Sequence, residues 1–239
     1  MNIAGSGSLP GGEYNDAINI SGSGKIMGNV SCTGFTASGS GTVNGDLRCQ
    51  GNVKISGSGS IKGNLDAVEV AISGSGKVQG ELACEKCSVS GMAHAGSFMT
   101  NSLHSSGMLS SDGDITAEDA VFHGAVSAGG LINAEKLEIV FDANSKAASV
   151  GGSSIRIRRK GIAASLFSRL IGRKNFARMQ VEESIEGDVI DVEYVTADSV
   201  VGKNVKIGPG CKIGTVIYVE TVEVSPEAEV GTCLSQSIG

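Results

Sequence analysis

An all-β parallel β-helix, a β-solenoid of about 17 residues per coil, is the fold that this 239-residue chain predicts, with one inserted amphipathic helix and a second, smaller β-solenoid lobe. Three observations predict it. Near-copies of one phrase begin at Ser21, Ser38, Ser56 and Ser73, as SGSGKIMGNV, SGSGTVNGDL, SGSGSIKGNL and SGSGKVQGEL. Apolar residues recur at fixed places in each copy. Glycine recurs at two further places. A short fixed period outranks other sequence signals, and this one is too short for the common helical repeats. It suits three strands of about five or six residues joined by three corners.

The repeat extends beyond its four best copies. Degraded versions start at Ala4, Ser90, Ser106 and His123, so the pattern covers residues 1–132. One place before the first Ser stand Ile3, Ile20, Ala37, Ile55, Ile72 and Val89. Five places after it stand Leu9, Ile26, Val43, Ile61 and Val78. Nine places after it stand Val30, Leu47, Leu65, Leu82, Met99, Ile115 and Ile132. These columns predict the inside of a narrow tube, where stacking sets like on like about 4.8 Å apart. Burial of such columns stabilises at about 25 cal/mol per Å² of apolar area. Gly22, Gly39, Gly57 and Gly74 mark one corner, and Gly28, Gly45, Gly63 and Gly80 another. A flexible Gly/Ser linker shares the composition, but linkers do not hold apolar residues in register.

After Ile132 the phrase fades, while strand alternation persists in LEIVF and SIRIR. Then Ile162, Leu166, Phe167, Leu170 and Ile171 recur at helical spacing. Residues 156–180 hold eight Lys or Arg and no acid, against a formal net charge of −6 for the whole chain. The expectation is a basic amphipathic helix or linker at 158–180, between a lobe at 1–157 and a second lobe at 181–239. Val195, Val201, Ile207, Ile213 and Val219, six apart, are the expected interior of that second lobe. VGKNVK and IGPGCK there also look like the hexapeptide repeat of left-handed β-helix acyltransferases.

The chemistry-bearing residues read blandly. Cys32, Cys49 and Cys84 share a column with Ala67, so they are expected as small, reduced, buried core residues rather than half of a zinc or redox site, although CEKC at Cys84 and Cys87 has that spacing. His94, His104 and His123 fall in different columns, and no Ser/His/Asp pattern or phosphate loop is legible. No cofactor and no metal is expected. The opening MNIAGSGSLPGG carries neither a basic nor an apolar leader region, and no run of about 18 apolar residues exists, so the expected location is the cytoplasm.

Repeats of the form ISGSGxIxGNL, together with KLEIVFDANSKAASVGGSSIRIRR and IEGDVIDVEYVTADSVVGKNVKIGPGCKIGTVIYVE, resemble the bactofilins, in particular the longer type found in Gram-positive bacteria. The resemblance implies a right-handed parallel β-helix that polymerises end to end without nucleotide and often serves at the membrane as a scaffold for cell shape or motility machinery. The residues supply a physical route to the same end. A terminal coil shows unpaired backbone and an apolar cross-section, which templates pairing. Ile3 and Leu9 are the expected contacts at the N-terminal end, where no capping helix is readable. Arg158, Arg159, Lys160, Leu166, Phe167, Arg169, Leu170, Arg173 and Lys174 are the expected contacts to an anionic membrane surface or a partner. The expected partners are other copies of the chain and that surface, not nucleic acid. Two other readings stand beside this one. An acyltransferase-like enzyme lacks a His in or beside the hexapeptide-like tract, and a β-solenoid adhesin or carbohydrate binder would carry aromatic platforms and an export signal.

Overall fold

The computed structural model describes residues 1–161 and 177–236. Among them, 25 strands join one continuous sheet, and each strand pairs in parallel with the strand about one coil away. The chain thus winds through about 13 turns, a rod about 60 Å long at about 4.8 Å per turn. Each turn has three faces. In one turn these are Asn52–Ile55, Ser58–Ile61 and the first residues of Leu65–Ile72.

Side chains alternate in and out along every face, as period-2 geometry requires. One inward ladder runs Ile3, Ile20, Ala37, Ile55, Ile72, Val89 and Ser105. It continues through Phe122, Ile139, Ile157, Val192 and Ile207 to Val224. Facing it across one corner is a ladder that begins as glycine. A Cβ at Gly59 would come within 2.7 Å of Ile55 Cδ1, and one at Gly76 within 2.8 Å of Ile72 Cδ1. Where the first ladder shrinks from Ile72 to Val89 to Ser105, the facing ladder grows from Gly76 to Ala93 to Leu109. Cross-sectional volume is conserved while individual residues change, the condition for a close-packed interior.

The SGSG corner has a different cause. Gly57 and Gly74 sit so close beneath the preceding coil that a Cβ on either would collide with backbone carbonyl oxygens there, Gly39 O for the first and Gly57 O for the second. The glycine is needed for close backbone approach. At the GNL corner the polar side chains themselves form rungs. The Asp46 N–H donates to Asn29 Oδ1 at 2.9 Å, Asn64 N–H to Asp46 Oδ1 at 2.9 Å, and Glu81 N–H to Asn64 Oδ1 at 3.0 Å. Leu131 N–H repeats this with Asp114 Oδ1 at 2.8 Å. Each Asn or Asp satisfies a backbone donor where the coil turns and the regular ladder is interrupted.

Three expectations are corrected. Met99 is not interior but 54% exposed; Phe98, 1% exposed, takes its place. The step from Leu82 to Phe98 is one residue shorter than the step before it, which flips Met99 outward. Second, the strands beyond the insertion do not form a separate lobe. Ser145–Ala147 pairs with Met179–Val181 and Ser149–Arg159 with Ser184–Val192, so the stacking passes the insertion unbroken. Val195, Ile207 and Ile213 are interior there, but Val201 and Val219 are not, because a coil of 15 residues, then one of 16 that lengthens to 17 at the irregularity between Gly202 and Asn204, replace an even hexapeptide step. Third, Arg158 and Arg159 end a strand rather than begin a helix, since the SIRIR alternation holds its ladder against Val140 and Phe141. At the other end of the expected helix Met179 and Gln180 lie in strand Met179–Val181, laddered on Ser145 and Lys146; residues 162–176, including Ile162, Leu166, Phe167, Arg169, Leu170, Ile171, Arg173 and Lys174, lie outside the described residues.

These two glycine roles separate experimentally. Gly57→Ala meets fixed backbone, whereas Gly59→Ala meets the end of a movable isoleucine. Urea denaturation should show Gly57→Ala losing about 3 kcal/mol and Gly59→Ala about 1. Asn64→Ala should lose about 1 kcal/mol through its missing rung. Equal losses for the two glycine variants would refute the close-approach account.

Candidate functional site

Among the described residues, the first and last coils each have one strand edge without a partner coil. Asn2–Ile3 and Ser6–Glu13 pair there with Ile18–Ile20 and Ser23–Cys32 alone. Ile3 is covered to 8% exposure, while Leu9, at the base of the ladder of Ile26, Val43 and Ile61, is half-buried. At the other end Glu229–Ser235 likewise pairs on one side only. Val224 stands above Ile207 and is 44% exposed, although its ladder is buried below. Val230 tops Ile213, and Cys233 tops Val216. Both ends therefore present inward-type aliphatic side chains next to open strand edges, the arrangement that accepts another coil. The sequence reading named Ile3 and Leu9 at the N-terminal end and did not name Val224 and Val230, because the SGSG phrase that indexes the columns has vanished there.

The strands before and after the basic segment end and begin at one corner. Arg158 Nη2 lies 2.6 Å from Asp191 Oδ2, with Glu193 at 4.0 Å, and the Asp191 hydrogen bond holds the guanidinium pKa above its ordinary value. The Arg159 guanidinium stacks on the Tyr194 ring, 3.5 Å from its centroid, a cation–π contact. Tyr194 has φ 56°, and Gly210 in the next coil has φ 70° and packs over the Tyr194 ring, where a Cβ would come within 2.5 Å. Lys160 approaches Asp142 at 3.8 Å. On the returning side, Arg178 Nη1 donates to Gly210 O at 3.0 Å and Arg178 N–H to Asn144 Oδ1 at 3.2 Å. These cations act within the chain as a clamp at the base of the insertion.

Two groupings were not legible in the sequence. His104 and His123 meet edge to face with centroids 5.7 Å apart, because strand Ile115–His123 runs two residues past the position facing His104. His94 Nδ1 lies 3.0 Å from Ser110 Oγ, and Nε2 lies 3.3 Å from Asp112 Oδ2. That is the order of a nucleophile, base and orienting acid. The Asp112 side chain is 74% exposed, however, and strand Met108–Ser111 has its backbone donors committed to neighbouring coils. The desolvated acid and free oxyanion donors that such chemistry uses are not offered. Among the described residues no group of three or more His, Cys, Asp or Glu could hold a metal ion, and no helix is long and apolar enough to cross a membrane.

Comparison with known proteins adds a family. The family model Bactofilin, described as polymer-forming cytoskeletal, matches residues 3–82 and again 41–128, together more than half of the chain. A short repeat lets one model fit twice in overlapping positions. Uncharacterized protein YhbF of Bacillus subtilis (strain 168) is 34% identical over 102 residues, 42% of this chain and 40% of that protein. Uncharacterized protein YhbE of the same organism is 36% identical over 105 residues, 43% of this chain and 42% of that one. The match thus spans about two fifths of each relative's length. No solved structure matches the chain.

The cysteines are free. Cys32 stacks on Cys49, and Ala67 on Cys84, as the column reading expected. Cys84 is half-buried rather than buried, and Cys87 belongs to another ladder, between Val70 and Leu103. A shared thiol hydrogen bond pulls the Cys49 pKa down and pushes Cys32 up; Cys84 is lowered and Cys87 raised by the same cause. Accessibility then sets reactivity. A thiol reagent should modify exposed Cys233 first, Cys84 more slowly, and Cys32, Cys49, Cys87 and Cys211 only on unfolding, as read by peptide mass mapping over time. Cys49→Ala should cost little more than about 1 kcal/mol, since Ala67 already occupies its column.

Proposed function

Since the chain belongs to the bactofilin family, whose members are polymer-forming cytoskeletal proteins, we propose that it is a non-enzymatic scaffold that assembles by stacking solenoid ends, with no nucleotide required. The observation that carries this reading is the pair of open ends, with Leu9 half-buried and Val224 44% exposed in ladders that are otherwise covered. A stacked coil would extend those ladders, giving each covered aliphatic side chain about 1.5–3 kcal/mol and pairing the strand edges. Nothing in such a contact consumes an energy source, so nucleotide has no step to drive.

A finer part of the proposal concerns location. Residues 156–180 carry eight Lys or Arg and no acid, and each such charge near an anionic leaflet contributes about 1 kcal/mol. Arg158 is already matched by Asp191, so the load would fall on Arg156, Lys160, Arg169, Arg173 and Lys174, with Leu166, Phe167 and Leu170 as the apolar contact. Repetition along a polymer would multiply a weak single attachment.

Wild-type protein in nucleotide-free buffer should sediment as a polymer, and negative-stain microscopy should show filaments. Leu9→Lys and Val230→Lys each place an unpaired charge in the stacked contact and should leave monomers or short oligomers that keep the wild-type melting profile. Assembly unaffected by both would refute end stacking. Liposomes test the location separately. Polymer should float with anionic vesicles at low salt and release as salt rises, and Phe167→Glu with Leu170→Glu should stay at the bottom. Wild-type polymer that fails to float at low salt would remove the membrane from the proposal and leave the scaffold intact.

A further inference from the structure

Away from both ends, the corner after the third face carries a groove of about 550 Å³ crossing five coils, from Cys49 to Glu118. Its floor is short side chains: Ala67, Cys84, Thr100 and Ala117. Its rim is apolar and acidic together. Val68 is 41% and Met99 54% exposed, and Asp66, Glu85 and Glu118 line the groove, with Arg48 one coil from Asp66 in the same outward column and Lys86 next in sequence to Glu85. No described cation forms an ion pair with any of these three carboxylates. Part of the apolar rim is a product of the register: the shortened coil that seats Phe98 inside turns Met99 out, into the column of Ala83 and Thr116.

We propose that this groove docks a basic, apolar peptide segment of a partner protein. Exposed thioether and aliphatic groups over small floor residues offer an adaptable apolar contact. Three carboxylates without an ion-pair partner select cations and disfavour acidic competitors. The adjoining column runs Glu69, Lys86, Ser102, Asp119 and Lys136, and Arg48 offsets part of the charge of Asp66, so the negative field at the groove rests on Glu85 and Glu118 with Asp66 at its edge. At about 4.8 Å per coil the groove is roughly 19 Å long, room for about three anchoring side chains in a helical or extended segment. This inference does not depend on end stacking.

Fluorescence anisotropy on the full chain tests it with two probes: a labelled amphipathic Leu/Lys peptide, and a labelled peptide of this chain's residues 162–176, IAASLFSRLIGRKNF. Saturable binding of the Leu/Lys peptide should weaken as salt rises and fall about tenfold or more in Asp66→Lys/Glu85→Lys/Glu118→Lys and in Met99→Glu. The distant pair Glu13→Lys/Asp16→Lys should bind like wild type. All the altered side chains point outward, and an unchanged melting curve confirms folding. Tighter binding of the 162–176 peptide would identify the partner as a second copy of the chain. Failure of both probes to saturate overturns the proposal, and so does equal binding by wild type and the groove variants. Loss of binding in the distant pair as well would reduce the effect to net charge and also overturn it.

Discussion

Everything in this molecule depends on one constraint: each coil must return to its starting point so that like side chain lies over like, one strand spacing further along. Backbone hydrogen bonds between coils impose it, and the side chains are filtered by it. A residue inside the rod must suit the residue below, the residue above and the one facing it across a corner. The paired change from Ile72 and Gly76 to Ser105 and Leu109 shows that the filter acts on their joint volume. The glycines of the SGSG corner answer to the same constraint from the backbone side, since the coils approach there too closely for any Cβ.

The fold was largely legible because a repeat writes its cross-section many times over. Columns of Ile, Val and Leu, aligned by one Ser, locate the inner face without any structure. Errors appeared where the chain stops counting evenly. At Met99 a coil loses a residue, and period-2 alternation converts a slip of one into a change of face. Near Val201 and Val219 the even spacing mimicked a hexapeptide rule that the coil lengths do not follow. The apparent second lobe arose from the same cause: an insertion interrupts the text but not the stack.

The candidate site was legible only in part. Ile3 and Leu9 sit in or beside a degraded copy that still aligns with the clear ones, whereas Val224 and Val230 lie where the index phrase has vanished. The clamp of Arg158, Arg159 and Arg178 could not be read from sequence, because its partners Asp191, Tyr194 and Gly210 become neighbours only through coil-to-coil stacking. The Asn29, Asp46 and Asn64 rungs were visible as letters in the repeat but carried no assigned role. Their meaning is a donor–acceptor relation about 17 residues apart. The acidic groove was hidden for a similar reason, since Asp66, Glu85 and Glu118 belong to three different coils within four successive rises of the helix.

The clamped corner has a consequence for how such a chain can vary. From coil to coil the length stays within 15 to 19 residues, because single-residue changes are taken up at the corners and each inward side chain must still land on its ladder. Between Lys160 and Arg178 that arithmetic is suspended. The strands on either side pair directly with each other's neighbours, and ion pairs, a stacked ring and backbone hydrogen bonds fasten both stems. Loop-closure entropy rises only slowly with length, so this corner is a port through which sequence can be added, removed or exchanged while the rod stays in phase.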